Sequence, residues 1–219
     1  MIRLAVLDMA GTTVTDDGAV ERAFVEAVSS QLGDRAPQAL EHVRATMGQS
    51  KIVVFRALFD GDEEAAQAAN RRFEHAFDAA VGRGEIGPIA GAEAALADLR
   101  AAGVRVCLTT GFSASTRDRI IDALGWRGAI DLALSPADSG RGRPYPDMIL
   151  SALLRLGADD VRDVAVAGDT TSDLLAGTRA GAAVVAGVLT GAHTRAELEQ
   201  APHTHIIGSV ADLPAIITG

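Results

Sequence analysis

Leu4-Ala5-Val6-Leu7-Asp8-Met9-Ala10-Gly11-Thr12-Thr13 sets an unbroken apolar run directly before an aspartate and a turn of small residues. A short apolar run without polar alternation reads as a strand covered on both faces, the signature of a parallel sheet sandwiched by helices. Further runs of the same kind follow at Val104 to Leu108, Leu132 to Leu134, Val164 to Ala167 and Ala183 to Val188, and Ile206-Ile207 reads as a terminal strand. Amphipathic stretches at Ala92 to Ala102, Thr116 to Leu124, Asp147 to Leu156 and Ser172 to Ala180 separate them. This alternation predicts a doubly wound, Rossmann-like parallel α/β fold. Ligands bind such sheets beyond the carboxyl ends of the strands, where the polar clusters after Leu7, Leu108 and Ala167 all fall.

From residue 16 to residue 87 the strand signal disappears, and apolar residues such as Val20, Phe24, Ala27 and Val28 recur at helical spacing. The expected organisation is therefore a core formed by residues 1–15 and 88–219, with an α-helical cap of residues 16–87 inserted after the first strand. Gly33 and Pro37 punctuate the first helix of this insertion, Gly48 precedes another, Asp60-Gly61 makes a break, and Asp62-Glu63-Glu64 loads acid at the next amino terminus. The stretch from Gly82 to Pro88 reads as the return linker.

A chain of 219 residues with 48% hydrophobic content can bury a sizeable interior. The net charge of −9 disfavours nucleic acid and anionic membrane as partners, yet leaves room for one local cationic pocket that takes a small phosphorylated metabolite. No apolar stretch approaches the roughly 20 residues of a membrane span. Cys107 is the sole cysteine, so no internal disulfide forms, and a cytoplasmic location is expected. Cys107 lies inside an apolar strand and reads as a core residue; His203 and His205 flank Thr204 without an evident third metal ligand.

Four ordered motifs resemble those of haloacid dehalogenase-type phosphotransferases, and the resemblance spans nearly the whole chain. It implies Asp8 as a nucleophile that takes up a phosphoryl group, and Ala10 as a backbone carbonyl ligand of a metal ion. Thr109-Thr110-Gly111 resembles the hydroxyl motif that binds phosphoryl oxygens, with Thr109 the first choice and Thr110 contributing through its backbone. Arg143-Pro144-Tyr145-Pro146 resembles the motif whose cation holds those oxygens and pairs with the nucleophile. Gly168-Asp169-Thr170-Thr171-Ser172-Asp173 resembles the acidic motif that, with Asp8, anchors a hard divalent cation, Mg2+ being the natural ion. Asp173 also has a simpler reading as the cap of the helix that begins near Ser172.

Within this superfamily, Asp8-Met9-Ala10-Gly11-Thr12 together with Met47-Gly48-Gln49-Ser50-Lys51 most resembles the phosphonatases, which hydrolyse phosphonoacetaldehyde. The resemblance implies that Lys51 forms a Schiff base with a substrate aldehyde, and that Met47 and Met9 approach the substrate. It also allows a homodimer. Ala10 stands where most phosphatases of the superfamily carry a second aspartate, so an alkoxide leaving group would lack its proton donor. The chain departs from the phosphonatase pattern at Val54, where a histidine is usual, at Phe112, where a tyrosine is usual, and at Gly18, where a cysteine is typical; these changes alter the aldehyde pocket. The expected function is cleavage of a small phosphonate or carbonyl-bearing phosphate ester. A haloacid dehalogenase, a small-metabolite phosphatase and a non-catalytic scaffold that binds a phosphometabolite stand as alternatives, with Asp169 opposing the metal-independent dehalogenase.

Overall fold

A computed structural model describes residues 1–15, 18–32 and 36–218, the side chains of residues 30, 36 and 37 excepted. Its centre is β1, Leu4–Asp8, every residue of which is buried. The other strands are β2 (Arg105–Thr109), β3 (Leu132–Leu134), β4 (Val164–Gly168), β5 (Val184–Val188) and β6 (His205–Ile207). All pairings are parallel, in the order β3-β2-β1-β4-β5-β6. The order reverses at β1, so the crevice at the carboxyl ends of β1 and β4 is where this class of sheet places ligands.

Side chains of β1 alternate between two cores, as strand geometry requires. Leu4 and Val6 join Cys107, Val164 and Val166 under Met148, Ile149 and Ala152 on one face. Ala5 and Leu7 join Val106 and Leu108 under Ala92, Leu96 and Leu99 on the other. The helices that supply these covers are α5 (Ala92–Ala101), α6 (Ala114–Ala123), the one-turn α7 (Pro136–Ser139), α8 (Asp147–Leu156), α9 (Thr171–Ala180), the one-turn α10 (Arg195–Leu198) and α11 (Leu213–Thr218). The six expected strands and four expected core helices all form, their ends moving by no more than a few residues. Capping explains one such shift: α6 starts at Ala114 because Ser113 caps it, accepting from the Thr116 N–H.

Between β1 and α5 the described chain is helical: α1 (Ala19–Leu32), α2 (Ala36–Ala45), α3 (Lys51–Leu58) and α4 (Glu63–Gly82). Residue 16, at the expected boundary, and Gly33 lie outside the described residues. Asp60 and Gly61 both adopt positive φ, which ends α3, and Asp62 caps α4 by accepting from the Ala65 N–H at 3.0 Å. Phenylalanines unite the helices. Phe24 of α1 stacks on Phe55 of α3 at 4.4 Å between centroids, and Phe73 of α4 lies 5.4 Å and 6.1 Å from these two rings. Phe73 and Phe77 then meet Phe112, which follows β2, at 6.2 Å and 4.6 Å. The helical segment is thereby welded to the sheet by aromatic packing at the carboxyl end of β2.

Phe73 is fully buried at the junction of both parts. Phe73→Ala should cost about 3–5 kcal/mol of unfolding free energy through lost burial and a cavity. Denaturant unfolding of the variant checks this, and a loss below about 1 kcal/mol would mean that the aromatic seam collapses around the gap.

Candidate active site

Asp8 is the last residue of β1 and stands in register with Thr109, the last residue of β2. The turn behind it is fixed locally: the Met9 carbonyl receives the N–H groups of Thr12, Thr13 and Val14, and the Thr13 hydroxyl donates to the Asp8 carbonyl at 2.9 Å. Gly11 closes this turn at φ 86°, a conformation open chiefly to glycine. Met9 is itself completely buried in the core. It does not line the cavities that contain Lys51 and Asp169.

Asp169 and Asp173 approach Asp8 from the end of β4 and the first turn of α9. One oxygen from each of the three carboxylates lies within 4.8 Å of the others. Asp8, Asp169 and Asp173 are 4%, 3% and 2% exposed. Arg143 joins them with one Nη1, which meets Asp8 Oδ1 at 2.6 Å and also bonds Asp173 Oδ1. The Nε of the same buried guanidinium finds no partner among the described residues. Such an orphaned donor is costly unless a ligand oxygen fills it.

Burial opposes the charge on Arg143, but Asp173 and Asp8 outweigh it and hold the guanidinium above its ordinary range. Burial lifts the Asp8 carboxyl well above the usual range; Arg143 pulls it down while Asp173 and Asp169 push it up. Burial, then Asp173, raises Asp169 from its ordinary 3.8 to about 6, with the Ala192 N–H pulling the other way. Three buried carboxylates against one guanidinium leave an excess of negative charge. An all-oxygen donor set of this kind fits a hard divalent cation. Asp173 has a second task, because its Oδ2 accepts from the Thr170 N–H and hydroxyl in a capping box that starts α9. Both of its oxygens are engaged, which leaves Asp8 and Asp169 the freer candidate ligands.

The larger cavity, about 800 Å³, is lined by Lys51, Phe112, Ser113, Arg141, Arg143 and Tyr145 among others. Lys51 begins α3 and is buried, with Nζ 5.5 Å from the Phe112 ring centroid and 6.0 Å from that of Phe73. The smaller cavity, about 230 Å³, is lined by Ala10, Gly11, Met47 and Asp169. Asp8 is thus bonded to a residue of the first cavity and adjoins a carboxylate of the second. The helical segment closes directly on the sheet here. The Lys51 N–H donates to the Gly111 carbonyl at 3.3 Å, and a Cβ at Gly111 would strike the Gln49 carbonyl. A Cβ at Gly48 would come 2.5 Å from Thr170 Oγ1.

Other expectations change in detail. The Thr110 N–H, expected to reach phosphoryl oxygens, here donates to the Leu134 carbonyl at 3.1 Å. Its hydroxyl oxygen accepts from the Phe112 N–H. Thr109 Oγ1 has only a long 3.5 Å contact to the Leu7 carbonyl. Val54 belongs to the apolar core, so no acid–base group stands one turn beyond Lys51. Burial pushes the Cys107 thiol up and keeps it inert. Sequence reasoning overlooked Thr12, whose hydroxyl donates to Asp169 Oδ1 at 3.4 Å, and the loop after β5.

The haloacid dehalogenase-like hydrolase family profile matches residues 2–181. The chain belongs to this family. It is similar to the probable phosphatase IndB of Dickeya dadantii, at 29% identity over 96% of this chain and 91% of that protein. It is also similar to phosphonoacetaldehyde hydrolase of Bacillus cereus, at 32% identity over 82% of this chain and 73% of that one. The phosphonoacetaldehyde hydrolase-like protein of Oleispira antarctica shares its fold with a TM-score of 0.84 at 23% identity, over 99% of this chain and 91% of that chain. The chain is therefore a hydrolase of this family, built like the phosphonatase branch.

A raised carboxyl pKa favours the protonated fold. Its stabilisation is complete below the unfolded value of 3.8 and is lost as pH rises through about 6. A cation that replaces the proton should then matter most at neutral pH. The gain in unfolding temperature on adding magnesium ion should be several degrees at about pH 7.5 and much smaller at about pH 5. Calorimetry checks this; an equal gain at both pH values would show that the ion binds elsewhere.

Proposed function

We propose that this hydrolase is Mg2+-dependent and cleaves a small phosphonate, phosphonoacetaldehyde or a related carbonyl-bearing compound, through an aspartyl-phosphate at Asp8. The observation that carries this reading is that Lys51 and Arg143 line one cavity, while Arg143 lies 2.6 Å from Asp8. The carbon end and the phosphorus end of a short substrate can then be held at once.

In this reading residues 16–87 form a cap over the core. The Lys51 amine condenses with the aldehyde and releases water. An Asp8 oxygen attacks phosphorus, the carbon–phosphorus bond breaks, and its electron pair passes into the enamine on Lys51. Water then hydrolyses the acyl phosphate and, after protonation of carbon, the imine. Arg143 and the Thr109 hydroxyl hold the phosphoryl oxygens, with Arg143 Nε supplying a free donor. Asp8, Asp169 and the Ala10 carbonyl hold Mg2+, which when bound neutralises charge between carboxylate and phosphoryl group. Asp173 orients Arg143. Ala10 needs no acidic side chain, because the enamine requires no protonated oxygen leaving group.

A second reading, phosphate-ester hydrolysis, has its own support. Lys51 Nζ lies 6.0 Å and 5.5 Å from the Phe73 and Phe112 ring centroids, a placement that suits a cation. Val54 is a core side chain where phosphonatases carry a histidine, and the phosphatase relative matches along nearly its whole length. Lys51 would then stay charged and stabilise a leaving oxygen.

Borohydride reduction in the presence of phosphonoacetaldehyde separates the two. The first reading requires a covalent adduct that maps to Lys51 and disappears in Lys51→Arg. Efficient phosphate release from small phosphate esters, with neither an adduct nor phosphate formed from phosphonoacetaldehyde, would select the ester reading. Asp8→Asn should lower phosphate release by about a thousandfold or more in either case; retention of most activity in that variant would defeat the aspartyl-phosphate route.

A further inference from the structure

The carboxylate of Asp169 is held from outside the sheet's first crossover by the loop over 189–193 that follows β5. The Ala192 N–H donates to Asp169 Oδ2 at 2.7 Å, and the His193 N–H donates to the Asp169 carbonyl at 3.3 Å. In the same loop the Thr190 hydroxyl donates to the Gly11 carbonyl at 2.7 Å, one residue beyond Ala10 in the nucleophile turn. His193 anchors the far end, its Nδ1 accepting from the Thr171 N–H at 3.1 Å. Between these ties lies Gly191, where an added Cβ would fall inside the Asp169 carboxylate. The backbone there is not in the left-handed region, so glycine is required by contact with Asp169 and not by its φ.

We propose that residues 190–193 act as a positioning strap that sets the spacing between the Asp8 turn and Asp169, and thereby the affinity of the divalent-cation site. The inference rests on the functional reading above for the identity of that site. Asp169 has one oxygen taken by a backbone N–H, and the other receives only the 3.4 Å contact from Thr12. The strap thus fixes which oxygen faces outward and leaves the other for a ligand. Thr190 couples this to the other half of the site, because a shift of the loop must move Gly11 and Asp169 together. Groups that orient metal-binding carboxylates commonly alter metal affinity by about 10–100-fold when lost.

Three substitutions at two positions probe the strap on the full-length chain, with magnesium ion alone as the probe. Thr190→Val removes the tie to Gly11 at nearly constant volume, and Thr190→Ser restores the hydroxyl. Gly191→Ala inserts one methyl group against Asp169, so that the carboxylate or the loop must shift to accept it. Isothermal titration calorimetry should find the magnesium dissociation constant raised at least about tenfold in Thr190→Val and Gly191→Ala, and returned to within about threefold of the parent in Thr190→Ser. Should Gly191→Ala fail to fold, the valine and serine pair decides alone. Affinity within about twofold of the parent in Thr190→Val, or equal weakening in the serine variant, would overturn the strap. Absence of magnesium binding by the parent would overturn it too. Phosphate release measured beside binding separates the two claims: tight metal binding without turnover by the parent would fail the functional reading, whereas turnover with unmoved affinity in the variants would fail only the strap.

Discussion

One guanidinium shared between two buried carboxylates organises this molecule's chemistry. Arg143 comes from the loop between α7 and α8, Asp8 from the end of β1 and Asp173 from the first turn of α9, so their meeting ties three connections of the sheet at one point. A buried ion pair of this sort is weak evidence for stability, since desolvation takes back much of the attraction. It is better evidence for a site. The excess of carboxylate over guanidinium, with Asp169 alongside, is a charge imbalance that a fold would not retain for packing alone.

Much of this was legible in sequence because each core strand is a local apolar run, and each candidate residue sits where such a run ends. Asp8, Thr109 and Asp169 are placed by strand register, and the alternation of runs with amphipathic helices specifies which end of the sheet they share. Turn chemistry was equally local: Asp60-Gly61 and Asp62 end one helix and begin the next.

What sequence did not disclose depends on distant contacts. Nothing local distinguishes the Thr110 N–H from that of any residue after a strand, yet it bonds the carbonyl of Leu134 on the neighbouring strand. Met9 is adjacent to the nucleophile in sequence, but the strand's alternation turns its side chain into the core. Thr190, Gly191 and Ala192 carry no motif. Their signal was positional only, a short polar and glycine-bearing loop at the carboxyl end of β5 beside the crevice.

The contact between Lys51 and the Thr109 loop bears on how the two halves of the site communicate. The lysine begins α3, its own N–H bonds the Gly111 carbonyl, and its Nζ lies near Phe112, the next residue of that loop. Any motion that lifts α3 from the sheet must therefore withdraw Lys51 and disturb the loop that carries Thr109 in one step. Glycine at 111 is what permits the approach, since a side chain there would meet Gln49. The Phe73 and Phe77 rings resist the same motion by their packing on Phe112. Polar ties reinforce the same junction, since Asp78 of α4 accepts from the Thr116 hydroxyl of α6 at 3.1 Å and pairs with Arg119 at 3.1 Å.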